Sequence, residues 1–109
     1  MEVRAMPKYR RKRTNVYITG HEPIALSERK AALLQPLVDA GSKGLNTLAL
    51  NEIGVLNPSK TIGELKAIGM SITCKRLDVI DSFGNFHPNV AHYTFMAYEP
   101  DKLLEDAYA

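Results

Sequence analysis

The chain has little of the chemistry from which catalytic centres and covalent cross-links are built. Its 109 residues include one cysteine, no tryptophan and three histidines. A lone cysteine forms neither an internal disulfide nor a cysteine-rich zinc site, which indicates a reducing compartment. The histidines have no acidic residue at a metal-ligand spacing, and the segment Gly41-Ser42-Lys43-Gly44 lacks the spacing of a phosphate-binding Walker loop. We therefore expect a protein that is not an enzyme and that uses no metal or cofactor.

Long apolar runs are also absent. The longest, such as Ala31 to Leu34, are far shorter than the roughly 20 residues that a membrane-spanning helix needs. The N-terminus lacks the apolar centre of a signal peptide. With 45% apolar and 24% charged residues, the composition is that of an ordinary globular chain, and the length is that of one domain. These features predict a cytoplasmic protein without membrane contact.

Charge of both signs is present but is unevenly placed. Residues 1–13 carry six basic side chains and one acidic side chain, a net charge of +5, whereas residues 14–98 carry seven of each. Residues 99–109 carry one basic and four acidic side chains. A basic block of this kind predicts a segment that binds a polyanion. Its cations are Arg4, Lys8, Arg10, Arg11, Lys12 and Arg13.

These patterns divide the chain into three parts. Residues 1–23 have no helical apolar period, so we expect a flexible basic arm with at most a short strand at Val16 to Ile18. Residues 24–98 are the predicted folded domain. Residues 99–109 are predicted to be an acidic tail or a short helix, which either forms a homodimer surface or packs on its own domain.

The first predicted helix begins at Ser27, a residue type that caps helix N-termini well, and ends at Gly41. Pro36 lies inside it and is expected to kink the helix or split it in two, because proline removes one backbone hydrogen bond. The helix is predicted from apolar residues at the spacing of one buried face, namely Ala31, Leu33, Leu34, Leu37 and Val38.

Two further helices are predicted between residues 46 and 69. The second begins at Asn46 or Thr47 and ends at Gly54. The third has Asn57 as its cap and Pro58 at its first position, where proline is favoured. It ends at Gly69, and its side chains that face inward are Ile62, Leu65 and Ile68.

After the third helix the apolar period changes from 3.6 to 2. This change predicts two strands, at residues 71–76 and 90–96. Residues 81–89 are rich in turn formers and predict a long hairpin loop between the strands.

Three side chains of the hairpin have expected environments. Cys74 is predicted to be a small buried residue on the first strand. Phe83 and Phe86 are interpreted as residues that fill the core, with stacking on nucleic-acid bases as the alternative.

The order of three helices and then a β-hairpin predicts an α+β fold, a winged helix-turn-helix with the hairpin as its wing and a basic N-terminal arm. In this arrangement the third helix lies in a major groove about 12 Å wide while the second helix crosses the backbone. The candidate DNA contacts on the third helix are Ser59, Lys60, Thr61, Gly63 and Lys66. The candidates on the wing are Lys75, Arg76, Asn85 and His87, and the cations of the arm add phosphate contacts.

Residues Glu28 to Phe95 resemble a winged helix-turn-helix family that bacteriophages and prophages encode. The resemblance rests on residues 29–34 and 45–48, which open the first two helices, on residues 61–72, which run from the third helix into the strand, and on residues 92–95, which close the wing. It implies DNA binding in transcription regulation, excision or replication of a mobile element.

The predicted function is sequence-specific binding of double-stranded DNA. The alternative is a protein-protein adaptor that turns its third helix toward a protein, because that helix carries Glu64 beside two lysines and so has only a modest positive bias. A single winged helix buries only about 600 to 1,000 Å² on DNA, so tight binding favours a homodimer or adjacent copies.

Overall fold

Residues 13–101 are described by the computed structural model, and they form an α+β structure with three helices and two antiparallel sheets. The order of helices and the long final hairpin are compatible with a winged helix. The elements are β1 (Arg13–Val16), β2 (Ile24–Ser27), α1 (Glu28–Ala40), a 3-10 turn (Gly41–Lys43), β3 (Leu45–Asn46), α2 (Thr47–Glu52), α3 (Pro58–Ala67), β4 (Met70–Ile80) and β5 (Phe86–Tyr98).

The folded body begins at β1 rather than at residue 24. Strands β1 and β2 pair in antiparallel register, and Val16 is completely buried against the rest of the core. Gln35 of α1 binds both backbone groups of Tyr17, accepting from its N–H at 2.7 Å and donating to its carbonyl oxygen at 3.2 Å. The expectation of a flexible arm up to residue 23 is therefore wrong for residues 13–23, because long-range contacts with α1 hold this segment.

Helix α1 has the predicted limits. The Ser27 hydroxyl accepts a hydrogen bond from the Lys30 N–H at 3.4 Å, and Gly41 ends the helix with φ at 60°. The helix continues through Pro36, so the proline does not split it. Three fully buried leucines of α1 contribute about 1.5 to 3 kcal/mol each, more than the about 3 kcal/mol that an interior proline costs.

Helices α2 and α3 also begin where the sequence predicts. The Asn46 side chain caps α2 by accepting from the Ala49 N–H at 2.8 Å, and Pro58 is the first residue of α3. Gly69 follows α3 with φ at 106°, and a Cβ atom there would lie 2.9 Å from Pro100. The Gly69 carbonyl oxygen accepts from the Glu99 N–H at 2.7 Å, so the end of β5 packs over the turn that joins α3 to β4.

The larger sheet has the strand order β3-β5-β4, and its short strand β3 was not predicted. Strands β4 and β5 form a hairpin whose loop, residues 81–85, is shorter than the predicted loop at residues 81–89. Residues 86–89 belong to β5 because Phe86 pairs with Ile80. Asn89 has φ at 58°, next to a register irregularity in the hairpin.

The core lies between α1, α2, α3 and the base of the β4–β5 hairpin. Its centre is a set of leucines without solvent exposure, namely Leu33, Leu34, Leu37, Leu50 and Leu65. Beyond Ile72 the strand β4 is largely exposed, and Cys74 is exposed rather than buried. The outer part of the hairpin thus extends past the core, which explains why strand alternation did not predict burial there. Within residues 13–101, no helix is long and apolar enough to cross a membrane.

Candidate nucleic-acid interface

The outer face of α3 presents most of the residues that were predicted to contact DNA. Ser59, Lys60, Gly63 and Lys66 are exposed. A Cβ atom built on Gly63 meets no other atom within 4 Å, so a ligand backbone has open access to this position. Gly63 therefore leaves a gap between neighbouring side chains on the surface of the helix.

Thr61 does not belong to that face. Its side chain is only 2% exposed; its hydroxyl accepts from Arg29 Nη1 at 3.2 Å and reaches the Asn57 carbonyl oxygen at 3.5 Å. Thr61 thus lies off the exposed face on which the sequence analysis placed it, because this residue joins α3 to α1. The sequence contained the signal: Thr61 lies four residues before Leu65, on the apolar stripe of the helix.

An ion pair next to Thr61 strengthens the junction between α1 and α3. Arg29 Nη1 lies 2.7 Å from Glu64 Oε1. This oxygen is buried, and apart from the ion pair it has no hydrogen-bond partner among the described residues. The contact raises the pKa of Arg29 and lowers the pKa of Glu64. Lys30 and Lys60 lower the pKa of Glu64 further through their charges. We call these four residues the basic cluster, because Arg29 contacts the Glu64 carboxylate and the charges of Lys30 and Lys60 act on it.

Sequence reasoning did not select Arg29 and Lys30. Both lie in the first turn of α1, a position that favours acidic residues, because the helix N-terminus is itself positive. Two adjacent cations at such a position are a signal that sequence alone offered. They become part of a site only because α1 packs against α3.

The basic N-terminal segment joins the folded body beside this cluster. Arg13 is exposed on β1 and pairs with Ser27, the residue that caps α1. Arg13 therefore lies next to the start of α1, the helix that carries Arg29 and Lys30. The other predicted cations of the arm, Arg4, Lys8, Arg10, Arg11 and Lys12, lie outside the described residues.

The base of the hairpin is held against α3 by Tyr93. This residue of β5 is buried, and burial raises the pKa of its hydroxyl. Cys74 raises this pKa further, whereas the charge of Arg76 and the polar side chains of Thr47 and Ser59 lower it. Ser59 and Arg76 therefore both lie near Tyr93, where the hairpin meets α3.

The predicted wing contacts are divided between free and engaged side chains. Lys75 is exposed, whereas Arg76 donates to the Asn89 carbonyl oxygen at 3.3 Å. At the loop, His87 Nε2 lies 2.8 Å from Asp81 Oδ2, and the Asn85 N–H donates to Asp81 Oδ1 at 2.8 Å. These contacts, with His87 first, lower the pKa of Asp81 to about 2.

The two phenylalanines of the hairpin do not fill the core as predicted. Phe83 is 88% exposed and Phe86 is 62% exposed.

The outer part of the hairpin carries negative charge, unlike its base. Residues 77–98 contain Asp78 and Asp81 but no lysine or arginine. Positive charge is therefore confined to Lys75 and Arg76, close to α3.

A cavity of about 330 Å³ opens beside the basic cluster. It lies between the first turn of α1, the start of α3 and the turn of residues 54–57, which joins α2 to α3. Arg29, Lys60 and Thr61 contribute to its wall. Across residues 13–101, no group of three or more histidine, cysteine, aspartate or glutamate side chains is arranged to hold a metal ion.

Comparison of the chain with models of protein families, with curated proteins and with solved structures finds no match. The case for a function therefore depends on the geometry and charge of the chain itself.

Proposed function

We propose that the chain is a winged helix-turn-helix protein that binds double-stranded DNA with α3 in the major groove. The observation that carries the proposal is the arrangement of its cations. Arg29 contacts the Glu64 carboxylate of α3, the charges of Lys30 and Lys60 act on the same carboxylate, and Arg13, which follows the basic segment, pairs with Ser27 at the start of α1. Phosphate contacts from such a cluster would orient the helix and supply much of the affinity.

The exposed face of α3 then supplies the sequence preference. Lys60 and Lys66 donate hydrogen bonds to guanine or phosphate, Ser59 contacts either, and Gly63 allows close approach. Thr61 acts as a support of the helix rather than as a contact. The role that fits such a module is regulation, excision or replication of a phage or other mobile element.

The proposal is tested by selecting ligands from random duplexes and then measuring affinity by fluorescence anisotropy at several salt concentrations. Lys60→Ala should weaken binding to the selected site by about 5- to 150-fold if it removes a base contact. If Lys60 contacts phosphate instead, the slope of log affinity against log salt should become shallower by about 0.9.

Lys43→Ala is the matched control, because Lys43 is also an exposed lysine but follows the opposite end of α1. The 13 residues of α1 place it about 20 Å from Arg29 and Lys30 at the start of that helix. Equal affinities of the two variants would contradict the assignment of α3 to the groove. Absence of duplex binding by the unchanged protein at low salt would favour the protein-protein adaptor.

A further inference from the structure

The end of the β4–β5 hairpin carries an apolar surface that no described residue covers. Ile80, Phe83 and Phe86 are 67%, 88% and 62% exposed, and we call them the tip surface. Ile80 and Phe86 pair directly across the two strands, so they lie on one face of the hairpin. Phe83 belongs to the loop between them. Contiguous exposed apolar residues of this kind mark interaction sites more often than isolated ones do.

The loop that presents Phe83 is held in one conformation. The Asp81 carboxylate accepts from the N–H groups of Phe83 and Asn85 at 2.9 and 2.8 Å, and it contacts His87 at 2.8 Å. The Asp81 N–H donates to the Asn85 carbonyl oxygen at 2.9 Å, and the Gly84 N–H donates to the Asp81 carbonyl oxygen at 3.0 Å. A preorganised aromatic residue loses little conformational entropy when a partner binds it.

Charge restricts what can bind the tip surface. Asp78 and Asp81 lie beside it, and residues 77–98 contain no lysine or arginine. Asp81 contacts His87 at 2.8 Å and Asp78 accepts from the Asn89 N–H at 3.0 Å, so an incoming cation would bind carboxylates that these contacts already orient. The DNA backbone has the same sign of charge and is disfavoured there. A symmetric contact between two tip surfaces is disfavoured as well, because it would bring four carboxylates together. The chemistry that fits is a basic segment with apolar side chains.

The chain itself contains such a segment. Residues 1–12 carry five cations, and apolar residues recur among them at Val3, Met6 and Tyr9. We propose that the tip surface binds residues 1–12 of a second copy of this chain. Apolar side chains of the segment pack on Ile80, Phe83 and Phe86, while its cations pair with the carboxylates of Asp78 and Asp81.

A second copy fits better than the segment of the same chain. In the same chain, four of the five cations lie within five residues of Arg13, which pairs with Ser27 at the start of α1, so they reach at most about 18 Å from Arg13. The tip surface lies at the end of the hairpin that extends past the helices. The contact is heterologous, since different surfaces of the two copies meet, so association continues with concentration unless the geometry closes a ring.

Sedimentation velocity of the full-length protein without nucleic acid tests this proposal. Duplex phosphates attract the same cations, so leaving DNA out makes the result independent of the proposed function. The average sedimentation coefficient should rise with protein concentration. Phe83→Ser should lower the association constant about tenfold or more, as should alanine at the five cations of residues 1–12. A labelled peptide of residues 1–12 should bind the unchanged protein and should bind Phe83→Ser correspondingly more weakly.

Leu56→Ser is the matched control, because Leu56 is 85% exposed but lies in the turn between α2 and α3. Its association should equal that of the unchanged protein. A monomer at every concentration would overturn the proposal. Association that survives alanine at the five cations, or that Leu56→Ser weakens as much as Phe83→Ser does, would overturn it equally.

Discussion

Thr61 supplies the most direct test of how α3 is held. Thr61→Val keeps the shape of the side chain but removes the hydroxyl, which accepts from Arg29 at 3.2 Å and reaches the Asn57 carbonyl oxygen at 3.5 Å. A net hydrogen bond contributes about 0.5 to 1.5 kcal/mol to stability. Two full hydrogen bonds would contribute about twice that amount. Arg29 is about half exposed and the contact with Asn57 is long, so we expect Thr61→Val to lower the free energy of unfolding by about 1 kcal/mol.

Thr61→Ala removes a buried methyl group as well, which adds about 0.8 kcal/mol to the loss. The free energy of unfolding, measured by urea denaturation and circular dichroism, should therefore decrease in the order Ser59→Ala, Thr61→Val, Thr61→Ala. Ser59→Ala is the control because Ser59 is exposed on the same helix.

The duplex affinity of Thr61→Val should change less than that of Lys60→Ala, because Thr61 is 2% exposed. Combining Thr61→Val with Arg29→Ala should reveal a coupling of about 0.5 to 1 kcal/mol between the two residues. The reasoning is refuted if Thr61→Ala is as stable as Ser59→Ala while its DNA affinity falls, since Thr61 would then be a contact and not a support.

The remaining predictions concern the arm, the hairpin loop and one close approach. Alanine at the five cations of residues 1–12 should make the slope of log affinity against log salt shallower by about 3 to 4 units on duplex DNA; superimposable salt plots would exclude phosphate contacts by the arm. The pKa of Asp81 is lowered to about 2, so its contribution to stability is present above the unfolded pKa and is lost as the pH falls from about 4 to 2. Asp81→Asn should remove this part of the acid transition, and an unchanged transition would contradict it. Gly44→Ala should lower the unfolding midpoint markedly, because φ is +68° and the new Cβ would clash with the Tyr93 carbonyl oxygen. Gly54→Ala is the control, since φ is also positive there but nothing lies within 4 Å, and equal midpoints would refute this prediction.

The limits of the helices followed from local chemistry and were predicted from the sequence. Ser27 and Asn46 cap helices through hydrogen bonds to residues three positions later, and Pro58 begins α3. These interactions act within a few residues, so their signals are contained in short stretches of chain. The same holds for the change of apolar period after α3, which predicted the two strands of the hairpin.

The make-up of the candidate interface depended on long-range packing. Arg29 belongs to the interface because α1 packs on α3, and Thr61 is buried beneath it for the same reason. The sequence indicated a basic segment, but only the pairing of Arg13 with Ser27 located its entry beside the basic cluster.

Burial in the hairpin was decided by tertiary structure alone. Alternating residues predict two faces of a strand, but they do not reveal how far the core extends along it. Ile72 is buried, whereas Cys74, two residues further along β4, is exposed. The helices cover only the base of the hairpin, so Phe83 and Phe86 face solvent. Their apolar side chains had led us to expect that they fill the core. The sequence by itself determined the three helices and the two strands of the hairpin. Tertiary packing determined the short strands β1, β2 and β3, and the reach of the helices over the sheet determined which side chains remain free to bind.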